Sequence, residues 1–319
     1  MFRWYQDAQI CYACLSDVPD GETGNGTAFE ESLWFTRGWT LQELLAPCSV
    51  EFYVADWTHI GSKASRAKQI AIITWIDRSA LESNWTDTED TYVAAKKMPW
   101  AAHRLVTRAE DMAYCLLGLF DVNIPLLYGE GEYKAFRRLQ QAVFESEADH
   151  TLFLFATNDS INRVPFVAYS TRQFCRRKHC TDCALKPECL PEDIRSSQMR
   201  FAFDLPWSAL DDHYLQLVKG GVKVRLPLVR YSSFLQVRSL SHLIPKVKKG
   251  TYVALLPLTC AQYSHHVFGI VLLQLSISRY SRCLEAPIMV NVKALAGRVP
   301  VPETFTVCDA VPMNSLASD

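Results

Sequence analysis

The chain has 319 residues, of which 49% are hydrophobic, 12% aromatic and 21% charged. This length predicts about two domains, and this composition excludes an intrinsically disordered chain. The formal net charge of −1 creates no overall field that would attract nucleic acid or an acidic membrane, so we expect neither as a partner.

The first third of the chain alternates between helix and strand patterns. The predicted elements are a helix end over residues 1–8, a buried strand over 10–18, a helix over 36–45, a strand over 50–54 and a helix over 63–75. A loop rich in glycine separates the first strand from the second helix. This order of elements predicts an α/β arrangement with a parallel sheet.

Two further helices are predicted between residues 107 and 146. Thr107 and Glu110 have the spacing of a capping box, in which a hydroxyl and a carboxylate bind free N–H groups at the start of a helix. That helix is expected to continue through the apolar run YCLLGLF. The next helix, over residues 132–146, is apolar along the face that carries Phe136, Leu139 and Val143.

The segment Gly129-Glu130-Gly131 directly precedes this last helix. Glycines before a helix can cradle a phosphate with their N–H groups. The glutamate between them would repel an anion, so a tight turn into the helix is the better interpretation.

Short strand patterns separated by Gly, Pro and Ser follow residue 149. Apolar and charged residues alternate clearly in VKVRL over residues 222–226, as expected for a strand with one buried face. These patterns predict a mostly antiparallel, β-rich region. We therefore expect an α/β domain over residues 1–150 and a β-rich accessory domain over residues 151–319, with a cysteine-rich insertion at residues 175–189.

Three motifs in the first half resemble the HET domain, which characterises fungal heterokaryon-incompatibility proteins. They are MFRWYQDAQICYACLSDV, RGWTLQELLAP and TRAEDMAYCLLGLFDVNIPLLYGEGEYKAFRRLQ, and they occur in the order and with the spacing of that family. The later segments VKGGVKVRLPL and YVALLPL resemble the β-rich region that often follows the domain.

This resemblance implies a role in nonself recognition that leads to growth arrest or programmed cell death. Protein partners or self-association would act as the trigger. HET domains are distantly similar to TIR domains, which implies a partial TIR-like, flavodoxin-like α/β domain at the N-terminus. Members of the family normally have further strands before the MFRWY segment, so the resemblance implies a HET protein truncated at its N-terminus.

The helix over residues 36–45 carries Glu43 and, one turn earlier, Trp39. On a helix, Leu41, Leu44 and Leu45 form one apolar stripe, and the other two side chains point roughly the opposite way. We therefore expect the glutamate outside the buried core. The tryptophan either forms the wall of a pocket or covers the helix surface.

The segment WTLQEL at residues 39–44 is similar to the WCxxEL-like stretch of TIR enzymes that cleave NAD, and Glu43 falls on the catalytic position. The resemblance implies an NAD glycohydrolase, with NAD as substrate. A preorganised carboxylate beside the ribose would stabilise the oxocarbenium-like state in which the nicotinamide–ribose bond breaks. From the spacing alone, a glutamate on the polar face of an amphipathic helix is usually just a solvated side chain.

The sequence leaves three hypotheses of function open. The first is a signalling effector that works through protein contacts. The second is an NAD glycohydrolase that uses Glu43. The third is a non-catalytic remnant of a HET protein that folds only in part.

Eleven cysteines are present, and four of them, Cys175, Cys180, Cys183 and Cys189, lie in FCRRKHCTDCALKPEC. The sequence shows the pattern of neither a signal peptide nor a membrane span, so we expect a cytoplasmic, reducing environment with free thiols or metal ligands. The spacing Cys180-x-x-Cys183 lets two thiolates bind one metal, and four such ligands suit structural zinc. A cysteine-rich surface insertion without metal is the alternative.

Overall fold

The computed structural model describes residues 1–19, 27–85, 92–155, 165–174, 215–218, 221–230, 250–260, 263–282, 288–291 and 303–308. The chain forms two compact units. Unit 1 comprises Met1–Leu139 and Ser170–Arg172, and unit 2 comprises Gln140–Tyr169 and Gln173–Asp319. None of the helices in the described ranges has the length and the apolar character needed to cross a lipid bilayer.

Unit 1 contains a three-stranded sheet in the order β1-β2-β3. The strands are β1 at Cys11–Leu15, β2 at Val50–Val54 and β3 at His59–Ser62. β1 and β2 are parallel, whereas β3 returns antiparallel to β2. The predicted parallel pairing is therefore confirmed for the first two strands. A hairpin that the sequence pattern does not predict adds the third strand.

One face of this sheet is buried under aromatic rings. Phe52 on β2 contacts Phe29, Trp34 and Phe35, with ring centroids 5.5, 5.7 and 5.9 Å away. All four side chains are at most 9% exposed. These contacts hold the segments that connect β1 to β2 against the sheet, because large aromatic side chains bury the most apolar area per residue.

The opposite face of the sheet is open to solvent and also carries aromatic rings. Tyr12 and Trp57 are 59% and 62% exposed. The ring of Tyr53 lies between them, with centroids 5.8 Å from Tyr12 and 5.6 Å from Trp57. We call these three side chains the aromatic row.

The helices of unit 1 are short. They are α1 (Phe2–Gln6), α2 (Thr27–Glu31), α3 (Thr40–Leu45), α4 (Ala67–Thr74), α5 (Arg78–Glu82), α6 (Ala94–Lys97) and α7 (Asp111–Tyr114). Turns of 3-10 helix cover Leu33–Thr36, Met98–Ala101 and Leu117–Phe120. A second aromatic cluster in this unit consists of Trp85, Tyr92 and Trp100, with Trp100 5.2 Å from Tyr92 and 6.1 Å from Trp85 between ring centroids.

The helix predicted over residues 36–45 is divided in the structure. A 3-10 turn over Leu33–Thr36 comes first, and the side chain of Ser32 caps it by accepting a hydrogen bond from the N–H of Trp34. Arg37 is then extended, and α3 begins only at Thr40. The predicted apolar stripe of α3 is confirmed, because its three leucines are fully buried.

Two other predicted boundaries were too wide. The strand predicted over residues 10–18 is limited to β1. The helix predicted over residues 63–75 begins only with α4, because the N–H of Ser62 binds the hydroxyl of Ser65 in a turn before it. Trp75, in a left-handed conformation with φ 65°, ends α4.

The predicted capping box is wrong. Glu110 lies directly before α7, but its side chain makes no hydrogen bond that caps this helix. The helix is also shorter than predicted, since α7 ends at Tyr114 and the YCLLGLF segment continues as a 3-10 turn. The Glu110 carboxylate instead binds a loop that follows in the sequence, as described below.

Helix α8, over Glu132–Glu147, agrees with the predicted helix over residues 132–146. Phe136, Leu139 and Val143 are fully buried, so the predicted apolar face is confirmed. The predicted turn is confirmed as well, because Gly129 and Gly131 have φ values of 97° and 85° and lead directly into this helix. Both angles lie in the left-handed region that glycine adopts without strain.

Unit 2 contains an eight-stranded, mostly antiparallel sheet, which confirms the β-rich prediction for the C-terminal part. The strands are β4 (Leu215–Val218), β5 (Gly221–Leu226), β6 (Leu228–Arg230), β7 (Thr251–Cys260), β8 (Tyr263–Ser276), β9 (Arg279–Arg282), β10 (Ile288–Asn291) and β11 (Glu303–Cys308). Their order is β4-β5-β11-β9-β8-β7-β6, and β10 also pairs with β8. On β5, Val222, Val224 and Leu226 are fully buried, as the alternation predicted.

Candidate functional site

Glu43 is the only residue of α3 that is not buried, and Trp39 accompanies it at the surface of the helix. Both side chains are half-buried. Trp39 is the residue directly before the helix, so the two positions are one turn apart and therefore neighbours on its surface. The predicted placement of the glutamate outside the core agrees with its partial exposure.

Tyr5 on α1 lies near Glu43, and a hydrogen bond between the two side chains is one of the causes that shift their pKa values. Burial, followed by the charge of Glu43 and this hydrogen bond, raises the pKa of Tyr5 to about 12. The phenol therefore stays protonated at neutral pH.

Burial raises the pKa of Glu43 above its ordinary value. Three interactions oppose this effect: the hydrogen bond from Tyr5 and the positive charges of Arg37 and Arg104. A carboxylate in this position is partly stripped of water but has donors and cations that favour its ionised form. That combination is typical of a catalytic acid, base or charge stabiliser.

Arg104 is 2% exposed and anchors the start of α3. Its Nε donates to the carbonyl of Trp100 at 3.2 Å, and its Nη1 donates to the carbonyl of Arg37 at 2.8 Å and to the hydroxyl of Thr40 at 2.9 Å. Its Nη2 has no hydrogen-bond partner within the described part of the chain. Burial lowers the pKa of this guanidinium to about 10, so it is charged at neutral pH.

Arg37 sits in an extended segment that is fixed through its backbone. Gly38 N donates to the carbonyl of Leu105 at 2.9 Å, and Arg37 forms a parallel bridge with the same residue. A Cβ at Gly38 would lie 2.5 Å from Cγ1 of Val106, so only glycine permits this close approach of the two segments. The side chain of Arg37 is exposed.

Two more ionisable groups lie near this site. Burial and then the charge of Glu43 raise the pKa of Cys11 on β1. Lys63 is 2% exposed, and its Nζ donates to the carbonyl of Pro47 just beyond α3 at 2.5 Å. Burial lowers the pKa of Lys63 to about 8, so this amine is closer to deprotonation than an exposed lysine.

The glycine turn before α8 is filled by a side chain of the protein itself. One oxygen of the Glu110 carboxylate accepts hydrogen bonds from the N–H groups of Gly129 and Gly131, each at 2.8 Å. These hydrogen bonds lower the pKa of Glu110. The N–H groups that could have cradled a phosphate therefore already bind an anion, which supports the structural interpretation of the turn.

Described residues of unit 1 line a larger and a smaller cavity. The larger, of about 510 Å³, is lined by Glu30, Ser65, Arg66, Lys68, Gln69 and Ile72. Arg104, His103 and Trp100 contribute to the wall of the smaller one, of about 60 Å³. Glu43 lines neither of them.

The four cysteines of the predicted zinc site, Cys175, Cys180, Cys183 and Cys189, lie outside the described residues. The zinc site therefore stays a sequence prediction. Within the ranges that the structure describes, no group of three or more His, Cys, Asp or Glu residues is placed to hold a metal ion.

Comparison with known proteins points to fungal incompatibility proteins. A stretch of 149 residues, or 45% of this chain, is 44% identical to the vegetative incompatibility protein HET-E-1 of Podospora anserina. The chain spans about 11% of the length of that relative. No protein-family model matches the chain. No solved structure matches it either.

The sequence pattern indicates Glu43 and Trp39 but not the residues around them. Tyr5, Arg37 and Arg104 all act on the carboxylate, yet they come from three different segments. Arg37 could have been noticed from its position two residues before Trp39. The other two carry no local signal, because their relation to Glu43 exists only in the folded chain.

Proposed function

We propose that this chain acts in fungal heterokaryon incompatibility, as an effector or regulator of nonself recognition. The support is the 44% identity to HET-E-1 over 149 residues, together with the three HET-like motifs. The relative is an incompatibility protein by name, and the chain corresponds to a small part of it. Growth arrest or cell death would be the outcome of that role.

We further propose that the effector activity is cleavage of NAD, with Glu43 as the catalytic carboxylate. The observation that carries this proposal is the environment of Glu43, which is half-buried and whose pKa is lowered by Tyr5 and by the charges of Arg37 and Arg104 against the effect of burial. Tyr5 and the two cations favour the ionised form of the carboxylate, against the effect of its partial burial on the pKa. An ionised carboxylate of this kind is what a reaction with a cationic transition state requires.

In the proposed reaction, the bond between C1′ of the ribose and the nicotinamide nitrogen breaks. The electron pair of that bond moves to the pyridinium ring, which leaves as neutral nicotinamide. The positive charge that develops on the ribose is stabilised by the Glu43 carboxylate. Water then adds to C1′ and releases one proton, which gives ADP-ribose. Trp39, one turn before Glu43 on the same side of α3, would form a wall of the site.

The test is nicotinamide release from NAD by the wild type and by Glu43→Gln. Removing the charge that stabilises the transition state should lower the rate by about a hundredfold or more. Glu82→Gln is the matched control, because Glu82 is an exposed glutamate at the end of a different helix, paired with Arg78. It should leave the rate unchanged. An inactive wild type, or a Glu43→Gln variant of wild-type rate, would contradict the enzymatic proposal.

A second function, signalling through protein contacts alone, is favoured by the aromatic row on the open face of the sheet. Tyr12 and Trp57 expose large apolar rings there, and exposed aromatic residues in contact with each other are typical of protein interfaces. If this function is sufficient, expression of Glu43→Gln in a fungal host should still trigger the incompatibility reaction, whereas Tyr12→Ser combined with Trp57→Ser should not.

A further inference from the structure

The open face of the sheet in unit 1 carries a carboxylate next to the aromatic row. Alternate residues of β2 are buried, which leaves Glu51 and Tyr53 on the open face. Tyr12 on β1 is the register partner of Glu51. The ring of His59 on β3 lies 5.2 Å from that of Tyr53, between centroids. The aromatic row and an imidazole therefore share this face with one acid.

The carboxylate of Glu51 is held at both of its oxygens. Its Oε2 lies 2.7 Å from Nε2 of His59, and its Oε1 accepts a hydrogen bond from the hydroxyl of Ser49 at 3.2 Å. The side chain is nevertheless 24% exposed, so a ligand in solvent can reach it. A group that is already fixed in this way loses little conformational entropy when it binds a partner.

Trp57 has a backbone conformation that is unusual for a bulky residue. Its φ is 67°, in the left-handed region, and its N–H donates to the carbonyl of Val54 at 3.0 Å in the turn between β2 and β3. Burial does not explain this strain, since the side chain remains 62% exposed. Strained backbone around an exposed aromatic side chain is expected where that side chain serves binding.

The charges around the aromatic row have one sign. Residues 11–15 and 50–62 include Glu51 and Asp56 but no lysine or arginine. Asp56 is exposed in the turn just before Trp57, and its carboxylate accepts a hydrogen bond from the N–H of Thr58 at 2.8 Å. The face of an aromatic ring is also partly negative. Rings and carboxylates on this surface therefore favour the same ligand, a cation.

We propose that the open face binds an arginine-rich segment of a partner protein. This inference rests on the second proposed function, signalling through protein contacts, and names the chemistry of the partner. A planar guanidinium can stack on an aromatic ring and donate two hydrogen bonds to a carboxylate, which the ammonium of lysine cannot do. One guanidinium of the partner would stack on the aromatic row and pair with Glu51.

The test measures binding of a fluorescein-labelled peptide of alternating arginine and serine to the full chain, by fluorescence anisotropy. Three comparison peptides have lysine, citrulline or glutamate in place of arginine, and citrulline keeps the shape of arginine without its charge. The lysine peptide should bind several-fold more weakly, and the other two at least about tenfold more weakly. Equal affinities for the arginine and citrulline peptides, or no binding of the arginine peptide, would overturn the inference.

Substitutions on the open face then locate the binding. Tyr12→Leu combined with Trp57→Leu should weaken binding of the arginine peptide by about tenfold, because two rings that attract the cation are lost. Glu51→Gln should weaken it by about twofold to fivefold. Trp4→Leu is the matched control, because Trp4 is a 79% exposed tryptophan on α1. An equal loss in this control, or wild-type affinity in the double variant, contradicts binding at the open face.

A glycine at position 57 separates binding from folding. Trp57→Gly removes the indole and relieves the left-handed strain. Affinity for the arginine peptide should fall several-fold, whereas Tm should stay the same or rise. A marked fall in Tm would show that the indole stabilises the fold, and the assignment of this side chain to binding would then be wrong.

Sedimentation velocity of the wild type and the double variant at Tyr12 and Trp57 examines the other occupant, a second copy of the chain. A dimer that the double variant dissociates, without binding of the arginine peptide, assigns the face to self-association and overturns the inference. The second proposed function fails on a separate result, an incompatibility reaction that persists in a fungal host when both aromatic residues are replaced. A reaction lost on that replacement, while the purified chain does not bind the peptide, keeps the function and rejects the arginine-rich partner.

Discussion

Two glutamates of unit 1 have opposite environments. Glu110 is 6% exposed and accepts two backbone hydrogen bonds in the glycine turn, and these lower its pKa. Glu43 is half-buried, and its pKa is raised by burial and lowered in part by Tyr5, Arg37 and Arg104. One oxygen of the first carboxylate is bound by two backbone N–H groups, whereas no backbone N–H group in the described part of the chain is recorded as binding the second.

The difference separates a structural acid from a candidate functional one. A carboxylate whose ionised form is bound by backbone N–H groups stabilises the native state at neutral pH. An ionised carboxylate that is partly buried has a higher free energy than one in water. At Glu43 the surrounding groups offset only part of this increase. Such a residue is expected where a ligand or a transition state supplies the missing interaction.

The largest effect on stability is expected for Arg104, the buried arginine that binds the start of the helix carrying Glu43. Arg104→Met leaves the carbonyls of Arg37 and Trp100 without their side-chain donor, so the free energy of unfolding should fall by about 3 kcal/mol. Urea denaturation measures this change. Arg78→Met, at an exposed arginine, should change it by less than about 0.5 kcal/mol. Similar values for both variants would mean that the buried guanidinium does not anchor α3.

The next effect concerns Glu110 and depends on pH. Its pKa is lowered in the folded state, so its contribution to stability is present above the unfolded pKa of about 4.3 and is lost as the pH falls through the folded value. Glu110→Gln should lower Tm at neutral pH by several degrees. Its Tm should also fall less steeply on acidification than that of the wild type. Parallel Tm profiles from scanning calorimetry would show that the carboxylate is not structural.

Glu43→Gln should affect stability in the opposite sense. Because the folded-state pKa of Glu43 is raised, its contribution to stability is present below the unfolded value of about 4.3 and is lost as the pH rises through the folded value. At neutral pH the substitution therefore removes a cost, and Tm should stay the same or rise slightly. A marked fall in Tm would place Glu43 with Glu110 as a structural residue and end the contrast.

The smallest effect is expected in the pKa of Tyr5, which lies near Glu43. The pKa of Tyr5 is raised to about 12 by burial, by the charge of Glu43 and by its hydrogen bond to that carboxylate. Glu43→Gln removes the charge, so the tyrosine pKa should move back towards the ordinary value of about 10. Titration of the tyrosine 13Cζ resonance by NMR measures the shift, with Tyr5→Phe as the assignment control. An unmoved resonance would show that the two side chains are not coupled.

The parts of the fold that the sequence predicted are those that leave a periodic signal. The leucine stripe of α3, the apolar face of α8 and the alternation on β5 all arise from neighbours within a few residues. The glycine turn was also predictable, because positive φ angles favour glycine wherever a chain enters a helix this sharply. Boundaries were less accurate, as at Arg37, because an extended residue inside a helical pattern is set by its contact with Leu105.

The surroundings of Glu43 could not be predicted, because they depend on contacts between distant segments. Arg104 is 67 residues from Arg37 in the sequence, yet it binds its carbonyl. The capping-box prediction failed for the same reason, since the carboxylate of Glu110 binds a turn 19 residues further on. A capping box is recognised from the spacing of residues within one helical turn. Here the carboxylate binds N–H groups of a distant turn instead of N–H groups of its own helix.

The burial of tryptophan rings in unit 1 has an optical consequence. Seven of the eight tryptophans precede residue 101, and Trp34, Trp85 and Trp100 among them are at most 9% exposed. Their fluorescence will shift to longer wavelength when this unit unfolds and water reaches the indoles. Fluorescence will thus follow the unit that carries Glu43 almost alone, whereas far-ultraviolet circular dichroism will follow the backbone of the whole chain. If the midpoints of the two signals differ in one denaturant series, the two units unfold separately. If the midpoints coincide, the two units unfold together.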